Sequence, residues 1–159
     1  MRQHARSAQN CFIGLGSNLG DRGQNLRRAL AELEKLSGTK ILKVSAFYDT
    51  APVGYREQNR FLNAAAQLET DLTPLELLAK TKAIEKKLGR ETSFKWGPRV
   101  IDIDILAYGG QIIDAEGLRI PHLELSARRF VLEPLAEIAP DYIDARSQKT
   151  YKQLLKLLL

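Results

Sequence analysis

The stretch Lys95-Trp96-Gly97-Pro98-Arg99-Val100-Ile101-Asp102-Ile103-Asp104-Ile105-Leu106 decides how this chain is read. After Pro98, β-branched residues alternate with acids, which is the pattern of a strand whose successive side chains point to opposite faces. Ile101, Ile103 and Ile105 then share one face. Asp102 and Asp104 share the other, with Cα atoms roughly 6.5–7 Å apart at the usual rise of a strand. Two like charges held that close repel each other unless a cation lies between them, so the spacing suits divalent ions bridged by carboxylates and phosphate oxygens. The plainer alternative is a solvated pair matched with surface lysines. The residues just upstream favour the first reading. Gly97-Pro98-Arg99 places a turn and a guanidinium directly before the acidic strand, and Arg90 and Lys95 are near in sequence. Cations beside metal-binding carboxylates make sense when a polyanion completes the site.

Outward from this stretch, 159 residues suffice for one domain with a sizeable core and are too few for two ordinary ones. The expected layout is a disordered basic tail over residues 1–9 and a single domain over 10–159. A formal charge of +5 suits anionic partners without choosing among nucleotide, nucleic acid and membrane surface. Cys11 alone leaves no internal disulfide, which fits a reducing cytoplasm, and with only His4 and His122 no Cys/His zinc constellation is available. The first ten residues lack the apolar segment of a signal peptide, and no apolar run approaches the roughly 20 residues of a membrane span.

Cys11–Leu15 reads as a short buried strand and Gly16-Ser17-Asn18-Leu19-Gly20-Asp21 as the loop leaving it. The spacing Gly14-x-Gly16-x-x-x-Gly20 does not fit a dinucleotide fingerprint. Leu26, Ala29, Leu30, Leu33 and Leu36 recur at helical spacing before Gly38. A strand is expected over Ile41–Tyr48, with Leu42, Val44 and Ala46 on one face. A long polar connection from Asp49 to Gln58 leads into a strand over Phe61–Leu68, with Leu62, Ala64, Ala66 and Leu68 toward the core. Phe61 and Asn63 project together on its other face. They suit a flat heterocycle with an amide edge, or equally a small second core tied down by an amide. Thr73-Pro74-Leu75-Glu76 carries a helix start, with Leu75, Leu78, Ala79 and Ile84 as core candidates. Glycine-rich turns bracket a short strand over Gln111–Ile113, Leu118–His122 reads as an edge strand, Phe130–Ala139 as a helix, and Thr150–Leu159 as a closing helix with core leucines.

Four blocks of this sequence resemble the 6-hydroxymethyl-7,8-dihydropterin pyrophosphokinase family, the folate-pathway enzymes that move a diphosphate from ATP to a pterin alcohol. They are Gly16-Ser-Asn-Leu-Gly-Asp21, the Thr50–Asn63 region, Lys95-x-Gly-Pro-Arg99-x-x-Asp102-Ile103-Asp104-Ile105-Leu106, and Pro121-His122 followed by Arg128 and Phe130. The resemblance implies that Asp102 and Asp104 hold two Mg²⁺ ions and that Arg90 and Arg99 act with them in catalysis. It places ATP, the co-substrate, against Arg90, Lys95, Trp96, Arg99, Ile105, His122 and Arg128. It places the pterin against Thr50, Pro52, Val53, Phe61, Asn63 and Phe130. Glu85 falls on an acidic family position. Two departures stand out: Thr92 where many relatives carry a second arginine, and Leu123 where they carry an aromatic. Without the resemblance, His122 reads as an ordinary structural hydrogen-bonder.

The order strand, helix, two strands, helix, strands predicts an α+β protein with a ferredoxin-like βαββαβ core. Its antiparallel sheet would carry two helices on one face, with the terminal helices over the other in a three-layer α/β/α arrangement. The expected partners are ATP and 6-hydroxymethyl-7,8-dihydropterin, with no nucleic acid and no membrane. A monomer is expected, with weak docking to neighbouring folate-pathway enzymes left open. An RNA-binding module is the first competing class, but no aromatic/basic block lies on a central strand, and paired acids repel a phosphate backbone. A non-catalytic domain that binds a small ligand is the second, and it would release no AMP.

Overall fold

The computed structural model of the chain describes residues 8–52, 57–89 and 100–159. The elements in order are β1 (Gln9–Ser17), α1 (Arg22–Glu34), β2 (Thr39–Val44), β3 (Tyr48–Thr50), β4 (Phe61–Thr70), α2 (Pro74–Lys87), β5 (Asp102–Tyr108), β6 (Ile113–Ala115), β7 (Leu118–Ile120), a 3-10 turn (Leu125–Ala127), α3 (Arg129–Ile138) and α4 (Tyr151–Leu157). The main sheet runs β2-β4-β1-β5 with β3 also on β4, its strand pairs are antiparallel, and β6 and β7 form a separate hairpin. Gln9 already pairs with Thr70, so the folded part starts inside the stretch expected as tail, whose residues 1–7 lie outside the described ones.

Alternate residues of the same strands feed two apolar clusters, as strand geometry requires. Ile13, Leu15, Ala64, Ala66, Leu68, Ile101, Ile103 and Ile105 join Leu26, Ala29 and Leu33 of α1 and Leu77 and Ile84 of α2. Phe12, Ala65, Leu106 and Ala107 join Leu132, Leu135 and Ile138 of α3 and Tyr151 and Leu154 of α4. The isoleucine face expected of the acidic strand is therefore core. Alternation breaks at its far end, where Phe12 pairs with Ala107 and Ile13 with Ile105, which leaves Leu106 without a partner on β1. This bulge puts Leu106 and Ala107 in the same cluster and returns Tyr108 to the other.

Four expectations about the elements are corrected. The strand over Ile41–Tyr48 is broken into β2 and β3. Ser45 bridges the break by donating its N–H to Ala65 O and accepting the Ala65 N–H on its hydroxyl, both at 2.9 Å. The register slips between Ile41 and Lys43, and Leu42 and Val44 are exposed at 41% and 38%. Helix α2 buries Leu77, Thr81, Ile84 and Glu85, while Leu75 is exposed at 66% and Ala79 also faces out. Its start is as expected: Thr73 and Glu76 form a reciprocal cap around Pro74. The hairpin is the third correction. Asp114 and Ala115 are strand rather than turn, and Glu116-Gly117, with Gly117 at φ +80°, closes it. In α4 only part of the leucine set is core, since Leu154 is buried and Leu157 is exposed.

Candidate active site

The cross-strand register puts Asn63, Gly16 and Asp102 side by side on β4, β1 and β5, and Ala65, Gly14 and Asp104 on the next level. Residues opposite each other across a sheet share a face, so no side chain of β1 stands between Asn63 and Asp102, about 10 Å apart across two strand spacings. Gly16 is required for this. A Cβ there would lie 2.9 Å from Asn63 Oδ1. Asp102 and Asp104 are half-buried.

Asn63 is buried, and its amide donates to Thr50 Oγ1 at the end of β3. Thr50 pairs with Phe61 across β3 and β4, both are half-buried, as is Pro52, and Val53 lies outside the described residues. The stems of the connection between Thr50 and Phe61 are tied to the loop after β1. Asn18, 1% exposed, donates to Gln58 Oε1 at 2.7 Å and to Asn59 O at 3.2 Å. Arg22 donates to Arg60 O and pairs with Asp49, both at 3.0 Å, and Arg60 pairs with the same carboxylate. Phe130 is in the first turn of α3, which packs along β4, with the Arg128 guanidinium 5.5 Å from its ring centre.

On the other side of the acids, the main-chain N–H of His122 donates to Leu106 O at 2.9 Å, which docks the segment after β7 onto β5. The Glu124 N–H donates to His122 Nδ1 at 3.2 Å, so a neutral imidazole carries its proton on Nε2. Burial lowers the His122 pKa. The charge of Glu124 opposes this, Arg128 reinforces it and Asp102 opposes it, so these groups share one electrostatic environment. Arg128 pairs with Glu124.

Glu85, noted in the sequence only as an acidic family position, sits in an environment that the sequence did not reveal. It is 2% exposed, accepts the Ile103 N–H at 2.7 Å, and lies 3.5 Å from Lys82. It thus holds β5 at the residue between the two aspartates. The signal was an acid at helical spacing from Leu77, Thr81 and Ile84, hidden because two of that stripe are polar. The ATP assignment of Ile105 is narrowed: its side chain is in the core on the face away from the aspartates, which leaves only its main chain for a ligand. Arg90, Lys95, Trp96 and Arg99 lie outside the described residues.

The donor set can be tested against the expected Mg²⁺. Among the described residues, no group of three or more His, Cys, Asp or Glu gathers as a metal cage. Two carboxylates alone are what Mg²⁺ takes from a protein when substrate phosphates and water complete its shell, so the acids fit a nucleotide-borne ion. Cys11 is buried, and burial pushes its thiol pKa up, which leaves it inert. No helix among the described residues is long and apolar enough to cross a membrane.

Fold and surface together define an α+β protein whose antiparallel sheet presents an aromatic–amide corner and paired carboxylates on one face. Comparison narrows this class. The family model for 7,8-dihydro-6-hydroxymethylpterin-pyrophosphokinase matches residues 12–140. The chain is 44% identical over 133 residues to 2-amino-4-hydroxy-6-hydroxymethyldihydropteridine pyrophosphokinase of Pseudomonas aeruginosa, covering 84% of this chain and 82% of that one. It is 48% identical over 127 residues to the protein of the same name from Bacillus subtilis, covering 80% and 76%. Among solved structures, wild-type HPPK-DHPS of Plasmodium falciparum superimposes with a TM-score of 0.75 at 18% identity, covering 96% of this chain and 42% of that longer one. The chain belongs to the 7,8-dihydro-6-hydroxymethylpterin pyrophosphokinase family, which makes it a diphosphotransferase.

Proposed function

We propose that this protein transfers diphosphate from ATP to the hydroxymethyl group of 6-hydroxymethyl-7,8-dihydropterin in folate biosynthesis, working as a Mg²⁺-dependent cytoplasmic monomer. The observation that carries this reading is the register Asn63–Gly16–Asp102, in which the aromatic–amide corner and the pair of carboxylates share one sheet face with only a glycine between them. The pterin would lie against Phe61, Asn63, Thr50, Pro52 and Phe130, with Val53 assigned on the family pattern alone. Its hydroxymethyl oxygen then points along the Gly16 strip toward the aspartates. That oxygen attacks the β-phosphorus, the bond from the β-phosphorus to the α–β bridging oxygen breaks, AMP leaves with that oxygen, and the hydroxyl proton is released.

Asp102 and Asp104 would hold two Mg²⁺ ions on the triphosphate. Bound there, the ions supply neutralisation of phosphate charge. His122 would donate from Nε2 and Arg128 would pair with phosphate oxygen. Arg90, Lys95, Trp96 and Arg99 are assigned to the nucleotide from the sequence pattern, with Arg90 and Arg99 stabilising charge that develops on the transferring group. For the fold, we read the order β2-β4-β1-β5 with its two crossover helices as the ferredoxin-like plan, with α3 and α4 as the third layer.

The deciding assay measures AMP release from ATP, Mg²⁺ and 6-hydroxymethyl-7,8-dihydropterin. AMP should form only when all three are present, and its absence would sink the reading. Asp104→Ala should keep the circular dichroism of the parent and lose at least about 10²-fold in turnover at any Mg²⁺ concentration. Substantial activity in that variant would overturn the metal assignment.

A further inference from the structure

Arg146 lies beyond residues 12–140 that the family model matches, in the turn between α3 and α4. That turn is built around buried Asp144. Its carboxylate accepts the Ser147 N–H, its main-chain carbonyl accepts the Gln148 N–H, and its own N–H donates to Lys149 O, all at 2.8 Å. From this base the Arg146 guanidinium reaches across to the hairpin. Nε donates to Pro121 O at 3.0 Å and Nη2 to Ile120 O at 3.2 Å, while Nη1 and Nη2 grip the Asp114 carboxylate at 3.3 and 2.6 Å. One planar fork therefore holds β6 by a side chain and the end of β7 by two consecutive carbonyls, a set of contacts only arginine can make together.

The next residue is His122. Its main chain is held from the other side by Leu106 O, two positions after Asp104 on β5. We propose that Arg146 is a positioning residue for the nucleotide subsite: by clamping Ile120 and Pro121 it sets where the His122 imidazole stands relative to the paired aspartates. This rests on the nucleotide reading of His122 given above. Arg146 touches no reacting atom, and its effect passes through the hairpin.

The test compares wild type, Arg146→Ala and Arg146→Lys in the full chain by titration with a non-hydrolysable ATP analogue and Mg²⁺, then with 6-hydroxymethyl-7,8-dihydropterin while the analogue is saturating. Nucleotide affinity should fall about tenfold in Arg146→Ala and less in Arg146→Lys, which keeps the charge but not the planar fork, while pterin affinity stays within about twofold. The His122 imidazole signals, readable by NMR beside the single other histidine His4, should shift in the alanine variant. Unchanged nucleotide affinity, or nucleotide and pterin affinities falling together, would overturn the positioning role and leave Arg146 as a brace of the fold. If Arg146→Ala does not fold, the lysine variant carries the same two readouts. A wild type that binds no nucleotide at all would instead remove the reading on which the proposal rests.

Discussion

A Cβ built on Gly16 would stand 2.9 Å from Asn63 Oδ1 and 3.7 Å from the Phe61 ring, closer to the amide than side-chain carbons approach such atoms. Gly16→Ala should therefore displace Asn63 from Thr50, cost about 1–3 kcal/mol by overpacking, and weaken pterin binding more than nucleotide binding. Thermal unfolding and the two titrations check this, and equal losses in both affinities would count against it. His122 gives a second prediction at this scale. Burial lowers its folded pKa below the ordinary 6.5 that the unfolded chain keeps, so between the two values the unfolded state binds more protons and stability rises with pH. The contribution is complete above about pH 6.5 and is lost as pH falls through the folded pKa. Urea melts from pH 7.5 down to 5.5 should show a steeper loss in the wild type than in His122→Gln, and parallel slopes would contradict the buried neutral ring.

The loop after β1 works as a staple for the connection between β3 and β4. Asn18 is nearly inaccessible and spends its amide on Gln58 and Asn59, while Arg22, Asp49 and Arg60 tie α1 to both stems. Removing the Asn18 amide leaves the Asn59 carbonyl with one partner fewer where the connection enters β4, which carries Phe61 and Asn63. Asn18→Ala should raise KM for the pterin several-fold, with kcat and KM for ATP nearly unchanged, and a loss confined to kcat would refute the staple. Helix α2 shows how far periodicity can be read. Its cap was legible in Thr73-Pro74-Leu75-Glu76, because capping is settled by residues within one turn of each other. Its buried face was not, because Thr81 and Glu85 lie on it and Glu85 is satisfied there by the Ile103 N–H of another element. The break between β2 and β3 was hidden for the same reason: Ser45 closes it only by pairing with Ala65, twenty positions away.

At the scale of the molecule, the second apolar cluster is closed by residues after the family-matched region. Tyr151 is fully buried with its ring 5.6 Å from that of Phe12, and Tyr142 packs at 4.7 Å from the same ring. Ending the chain after Pro140 removes both rings together with Leu154 and Arg146. Losing a buried aromatic costs about 3–5 kcal/mol, a large part of the total stability of a domain this size. The truncated chain should lose its cooperative thermal transition, and a sharp transition close to that of the parent would show that α4 is dispensable.

By itself the sequence determined which face of the acidic strand carries Asp102 and Asp104, the leucine stripe of α1 and the N-cap of α2, because these follow from alternation, periodicity and contacts a few residues apart, while most candidate residues of the site came from the family resemblance. Only the tertiary structure decided that Gly16 would separate Asn63 from Asp102, that Leu106 would bulge, that Glu85 would go inside, and that Arg146 would reach the carbonyls before His122. Each of these depends on register and packing between segments 18 or more residues apart, and local residue chemistry leaves several such pairings open.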